Sequence, residues 1–160
     1  MPLFLVSATL FVCGVACVVL AASAMRRQPT GPPGVEQPRP VATVTHIMRG
    51  IVDPAATVVF EAVSTTVTAA GTEVKAPRTD AEWNAVADSA AALAEAGTML
   101  LAEGRAVDGD GWVKWSRALT AAGVTTLKAA EKRDADAVFA SGEAVYDACD
   151  NCHRTYRRTE

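Results

Sequence analysis

In the closing stretch of the chain, Val138, Gly142, Val145, Cys149, Cys152 and Tyr156 follow one another at steps of 4, 3, 4, 3 and 4 residues. Only a repeat of about 3.6 residues keeps such positions on one side, so the block from about Asp134 to Arg157 reads as a helix with a stripe that must be buried. His153 borders that stripe on the side of Phe139 and Tyr146.

Three earlier blocks supply partners for it. The first, roughly Ala42 to Val63, puts Val44, Met48, Ile51, Ala55, Val58 and Ala62 on one side and His46, Arg49 and Asp53 on another, and Asp53-Pro54 kinks or restarts this helix. The second opens on Thr79-Asp80-Ala81-Glu82, a capping box in which two side chains satisfy exposed amide groups reciprocally. Its apolar side is Trp83, Val86, Ala90, Leu93, Gly97 and Leu100, with an end near Glu103. The third runs from about Trp112 to Lys132 with Trp112, Trp115, Leu119, Ala122 and Leu127. "STTVTAAGTEVKAPR" and "GRAVDGDG" read as a loop and a turn, and no strand-like alternation is sustained. The expected fold class is all-α, an antiparallel four-helix bundle over residues 41–160.

Composition agrees. Half the residues are apolar but only 6% are aromatic, which favours helices packed closely through Ala and Val. Fifteen basic against 18 acidic residues give a net charge of −3, without the basic footprint of a nucleic-acid binder.

The N-terminus is of another kind. No charged side chain occurs from Pro2 to Met25, and Leu3 to Leu20 is almost continuously apolar. Residues 1–24 therefore read as a signal peptide, cleaved after Ala22-Ser23-Ala24, or as an uncleaved membrane anchor. Against cleavage, no basic residue precedes the run. Against an anchor with its domain outside, Arg26 and Arg27 follow it on the side that the positive-inside rule assigns to the cytoplasm. Cys13 and Cys17 lie in the run as small hydrophobes. Residues 25–40 form a Pro-rich linker, Arg26 to Pro40 holding five of the eight prolines. Export to the periplasm, soluble or tethered through residues 1–24, is the expectation.

Chemistry concentrates in Cys149-Asp150-Asn151-Cys152-His153. A C-x-x-C-H run attaches haem through two thioether bonds while the histidine ligates iron. On a helix, positions i, i+3 and i+4 share a face, so both sulfurs and the imidazole reach one macrocycle. A thioredoxin-like pair needs its first Cys at a helix N-terminus, and Cys149 lies about four turns in. Zinc needs four ligands, and outside the N-terminal run only Cys149, Cys152, His153 and His46 exist. A disulfide between helical i and i+3 positions is strained. A haem-free module with a redox or zinc-binding CxxC is the remaining alternative.

The ending C149-D-N-C-H153-R-T-Y156-R157, after four helical blocks, resembles the class II c-type cytochromes that include cytochrome c-prime. The resemblance covers Val41 to the C-terminus. It implies an exported four-helix bundle with one covalent haem c on the last helix, attached at Cys149 and Cys152, with His153 as proximal ligand and Arg157 as a basic residue near it. It also implies a one-electron carrier, not an enzyme, or in five-coordinate members a gas-binding (NO/CO) protein. Low-spin members take a sixth ligand from a methionine of the first helix. Met48 is the candidate, its alternative role being core filler. His46 is a second candidate on the polar side. Arg49 either pairs with a haem propionate or pairs with Asp53 at i+4. Methionine opposite histidine raises the reduction potential. The expected partner is a redox protein, and the family's habit of pairing through its first two helices permits a homodimer.

Overall fold

The computed structural model describes residues 39–157. The expected signal or anchor at 1–24, nearly all of the Pro-rich linker, and residues 158–160 lie outside the described residues. Within them the chain is mostly helical, with four helices and one two-stranded sheet. No helix among them is long and apolar enough to cross a membrane.

Helix α1 is continuous but not uniform: it is α-helical over Val44–Ile47, π-helical over Met48–Val52 and α-helical again over Asp53–Ala62. Thr43 caps its start, accepting the His46 N–H at 3.2 Å. Pro54 explains the wide turn. It has no N–H, and in an α-helix its ring would strike the carbonyl of Gly50 four residues back. The N–H of Asp53 instead donates to the Met48 carbonyl, five residues back. The extra residue shifts the phase of the buried stripe, which is Ile47, Val52, Ala55, Val59 and Ala62. The step of five from Ile47 to Val52 spans the π segment. Met48 and Ile51 are consequently half-buried, and Val58, expected inside, is exposed while Val59 is buried.

The expected loop after α1 is instead a hairpin. β1 (Ser64–Thr68) pairs antiparallel with β2 (Gly71–Lys75) around Ala69-Ala70, with Thr66 opposite Glu73. Thr65, Thr66, Val67 and Thr68 are stiff at χ1 and suit an extended backbone. Because β2 and nearly all of β1 are exposed, there was no alternation of apolar and polar residues to reveal them.

Helix α2 (Asp80–Leu100) begins with the expected capping box, and its six predicted core residues are all buried. Helix α3 (Gly111–Glu131) buries Trp112, Leu119 and Ala122 as expected, together with Ser116, Gly123 and Thr126, while Trp115 and Leu127 are half-buried. These small residues let α2 and α3 touch backbone to backbone. A Cβ added to Gly123 would sit 2.6 Å from the Ala94 nitrogen and 2.8 Å from the Ala90 oxygen, and one at Gly97 would sit 2.7 Å from the Ser116 oxygen. Gly97 thus lies by Ser116 and Ala94 by Gly123, so the two helices run antiparallel.

Residues 132–134 turn the chain into helix α4 (Ala135–Tyr156), whose first amides are capped by Asp134, Oδ1 accepting the Ala137 N–H at 2.9 Å. Across the α3–α4 contact, the buried Thr126 hydroxyl donates to Ser141 Oγ at 2.8 Å. The fully buried line on α4 is Val138, Ser141, Val145 and Ala148. Gly142, Cys149, Cys152 and Tyr156, expected at the centre of the stripe, form its half-buried edge. Phe60 lies beside Gly142 while Met48 shares a cavity with Cys149, so α1 and α4 also run antiparallel.

Candidate functional site

The cysteines' position at the edge of the α4 stripe exposes them to a small cavity. Its walls are Met48 and Val52 from α1, Leu100 from α2, Trp115, Ser116 and Leu119 from α3, and Ala148, Cys149, Cys152 and His153 from α4. All four helices contribute. The cavity measures about 20 Å³, room for a single water.

Cys149 and Cys152 are both free thiols and half-buried. Burial pushes the Cys149 thiol above its usual value, with a further push from Cys152, and burial alone does the same to Cys152. Both sulfurs therefore rest as thiols at neutral pH, opposite to what an activated nucleophilic thiolate needs. Among the described residues no three His, Cys, Asp or Glu side chains gather as a metal site.

His153 is exposed, and its ring has no hydrogen-bond partner among the described residues; its carbonyl accepts the Arg157 N–H at 3.0 Å. The thioether of Met48 belongs to the wall supplied by α1. Four of the predicted site residues, Met48, Cys149, Cys152 and His153, thus line one cavity.

The others do not. His46 is exposed, its Nδ1 2.9 Å from Thr43 Oγ1, and it lines no part of the cavity. Arg49 and Asp53 are exposed and unpaired among the described residues, so the expected i+4 ion pair is not formed; the π turn between them spoils the i+4 spacing. Arg157 is exposed at the end of α4, outside the cavity.

The wide turn decides what Met48 does. Carried back from Asp53–Ala62 at 3.6 residues per turn, the buried stripe would reach Met48 and leave Ile47 about 100° away. With the π segment inserted, Ile47 fills the core at 1% exposure and Met48 moves to the cavity edge. Single π turns inside α-helices often mark such sites.

Two residues in the turn between α2 and α3 tie the site's ends together, and neither was singled out from sequence. Asp108 Oδ1 accepts the backbone N–H groups of Asp110 at 3.1 Å and Trp112 at 3.0 Å, and Oδ2 accepts the Tyr156 hydroxyl. The Tyr156 ring meets Trp112 edge to face with centroids 5.1 Å apart, and Trp112 Nε1 donates to the Leu100 carbonyl at 2.8 Å. The last turn of α4, carrying Cys152 and His153, is thereby fixed to the start of α3. Asp108 holds its proton less tightly than a free carboxyl because the Tyr156 hydroxyl stabilises its charge, and Tyr156 is pushed up to about 12 by the same contact. Arg105 donates to the carbonyls of Met99 at 2.6 Å and Ala42 at 3.0 Å, joining the end of α2 to the lead into α1. An acid just before a helix start was a readable signal for Asp108. Arg105, in a loop, offered none.

The donors fit a covalently held haem: two protonated thiols at i and i+3, an unpartnered imidazole at i+4, and a thioether from the facing helix. The cavity, at about 20 Å³, is far smaller than a macrocycle. Comparison of the chain with known families, with curated proteins and with solved structures gives no match.

Proposed function

We propose that this chain is an exported c-type cytochrome of the class II kind, an antiparallel four-helix bundle that carries one haem c and passes single electrons. The observation behind this reading is the convergence of Cys149, Cys152, His153 and Met48 on one apolar cavity. In the proposal Cys149 and Cys152 would hold the haem covalently, and His153 and Met48 would ligate its iron. When bound, the haem supplies a reversible one-electron iron couple.

The chain's own residues contribute exclusion and rigidity. Val52, Leu100, Trp115 and Leu119 give the cavity apolar walls, a low-dielectric surrounding that penalises added charge. The Asp108–Tyr156 bond holds the attachment turn in register with α3. Two arginines would serve the proposal, Arg157 as a basic residue near His153 and Arg49 as a partner for a haem propionate; both are exposed and without an ion pair among the described residues.

The test is the intact mass of the chain produced with the haem-attachment machinery. An increment of one haem is expected, lost in the Cys149→Ala, Cys152→Ala variant; a chain without the increment overturns the reading. Absorption spectra of the wild type and Met48→Ala then read the sixth position. A low-spin spectrum turning high-spin in the variant is expected, whereas a wild type already high-spin and binding carbon monoxide moves the reading to a gas-binding protein.

A further inference from the structure

Helix α4 carries a second set of aromatic side chains that the cavity does not use. Phe139 is 63% exposed and Tyr146 58%, and across the seam Phe60 of α1 is 44% exposed. Large aromatics left this open are not filling a core. They border a groove of about 360 Å³ floored by Val59, Val63 and Val138. Gly142 lies under the Phe60 ring with room to spare: a Cβ there would be 3.8 Å from it, an ordinary contact.

The stretches of α1 and α4 that line this groove carry charge of one sign. From Ala135 to Cys152 the sequence holds Asp136, Glu143, Asp147 and Asp150 and no Lys, Arg or His; Ile51 to Val63 holds Asp53 and Glu61 and again nothing basic. Asp150 is neutralised by Arg154 at 2.8 Å. Asp136, Glu143 and Asp147 are exposed with no cation beside them among the described residues, and Glu143 itself lines the groove. An acidic frame around an apolar centre disfavours a second copy meeting face to face, because each frame would meet its like.

We propose that the Phe60–Phe139–Tyr146 groove is the docking face for a protein whose contact surface is an apolar spot ringed by lysine or arginine. The apolar centre supplies affinity, and the acidic frame supplies selection and speed of encounter. Resting on the haem reading, that protein is the redox partner. Phe139, Tyr146 and His153 recur every seven residues, so the stripe climbs α4 toward the proximal ligand, with about 10 Å of rise between Tyr146 and His153.

The test uses the full chain and two fluorescent helical peptides with the same phenylalanine stripe, one flanked by lysine and one by glutamate. Anisotropy is expected to show binding of the lysine peptide alone. It should weaken about tenfold between low salt and about 0.15 M, where the screening length is only about 8 Å. Two variants should each weaken it by about tenfold or more, Phe139→Ser with Tyr146→Ser and Glu143→Lys with Asp147→Lys. Asp88→Lys with Glu95→Lys makes the same change of charge on the exposed side of α2 and should leave binding near the wild-type value. Equal binding of the two peptides, unchanged affinity in the groove variants, or equal loss in the α2 variant overturns the proposal. So does a wild-type dimer that Phe139→Ser abolishes, which gives the groove to a second copy. Binding is read without reference to haem, so its failure and a missing haem mass increment are separate results.

Discussion

The contact between α2 and α3 and the seam between α1 and α4 are built on opposite terms. At the first, Gly97 and Gly123 bring backbones within van der Waals distance, and a Cβ has nowhere to go. At the second, Gly142 has no atom nearer than the Phe60 ring, a groove opens at one end of the seam and the cysteine-lined cavity lies at the other. The two regions use the same residue type for different ends. A close-packed pair transmits strain and resists change, so the freedom to admit a large group, or a partner, belongs to the other side.

The largest expected effect tests that contrast directly. Gly123→Ala should destabilise by about 1–3 kcal/mol, because its methyl meets backbone that cannot rotate away. Gly142→Ala should instead stabilise by up to about 1 kcal/mol, the helix propensity gained where space is available. Urea unfolding of both variants measures this. Midpoint shifts of opposite sign, the larger at Gly123, sharpen the comparison, and equal losses break it.

Pro54→Ala should change global stability by less than about 1 kcal/mol but rearrange the seam. With its N–H restored, residue 54 can donate to the Gly50 carbonyl, and the π segment Met48–Val52 can relax to α. Met48 is then expected to turn into the core and Ile47 out of it. Backbone carbon shifts across 44–62 report the change without any cofactor; under the proposed haem reading, loss of a low-spin spectrum would report it as well. A retained π pattern would instead assign the phase to the burial of Ile47.

Helix positions were legible because burial and 3.6-residue spacing coincide in α2, where all six expected residues are inside. In α1 the same spacing placed Ala55 and Ala62 correctly but was one residue out before and within the π turn, at Met48 for Ile47 and Ile51 for Val52, since the step of five appears in no regular template; Pro54 was the visible cause, read as a kink. The hairpin was hidden because exposed strands have no alternation to show. At the site, Cys149, Cys152 and His153 stood out through the C-x-x-C-H spacing and Met48 through the family resemblance, and the four line one cavity. Asp108 meets the Tyr156 hydroxyl and Arg105 the Ala42 carbonyl, partners 48 and 63 residues away that spacing along the chain does not encode.

The smallest expected effect concerns how the seam's attachment end is held. Tyr156→Phe keeps the ring against Trp112 and removes only the hydroxyl bonded to Asp108. In the folded chain Tyr156 titrates at about 12 against an ordinary 10.0, so its contribution is complete below pH 10 and disappears as pH rises toward 12. Asp108 is shifted the other way, below its ordinary 3.8, so its contribution is present above that pH and is lost as acid protonates it in the folded state. The wild type should therefore lose its advantage over Tyr156→Phe at both extremes, fully at the alkaline one. At the acid one Asp108 still accepts two backbone N–H groups in the variant, so part of the acid sensitivity is shared. Melting temperatures of the two proteins across this range measure the difference. Parallel alkaline limbs would mean that the Tyr156 hydroxyl carries no weight in solution, and that the edge-to-face contact with Trp112 alone fixes the turn bearing Cys152 and His153.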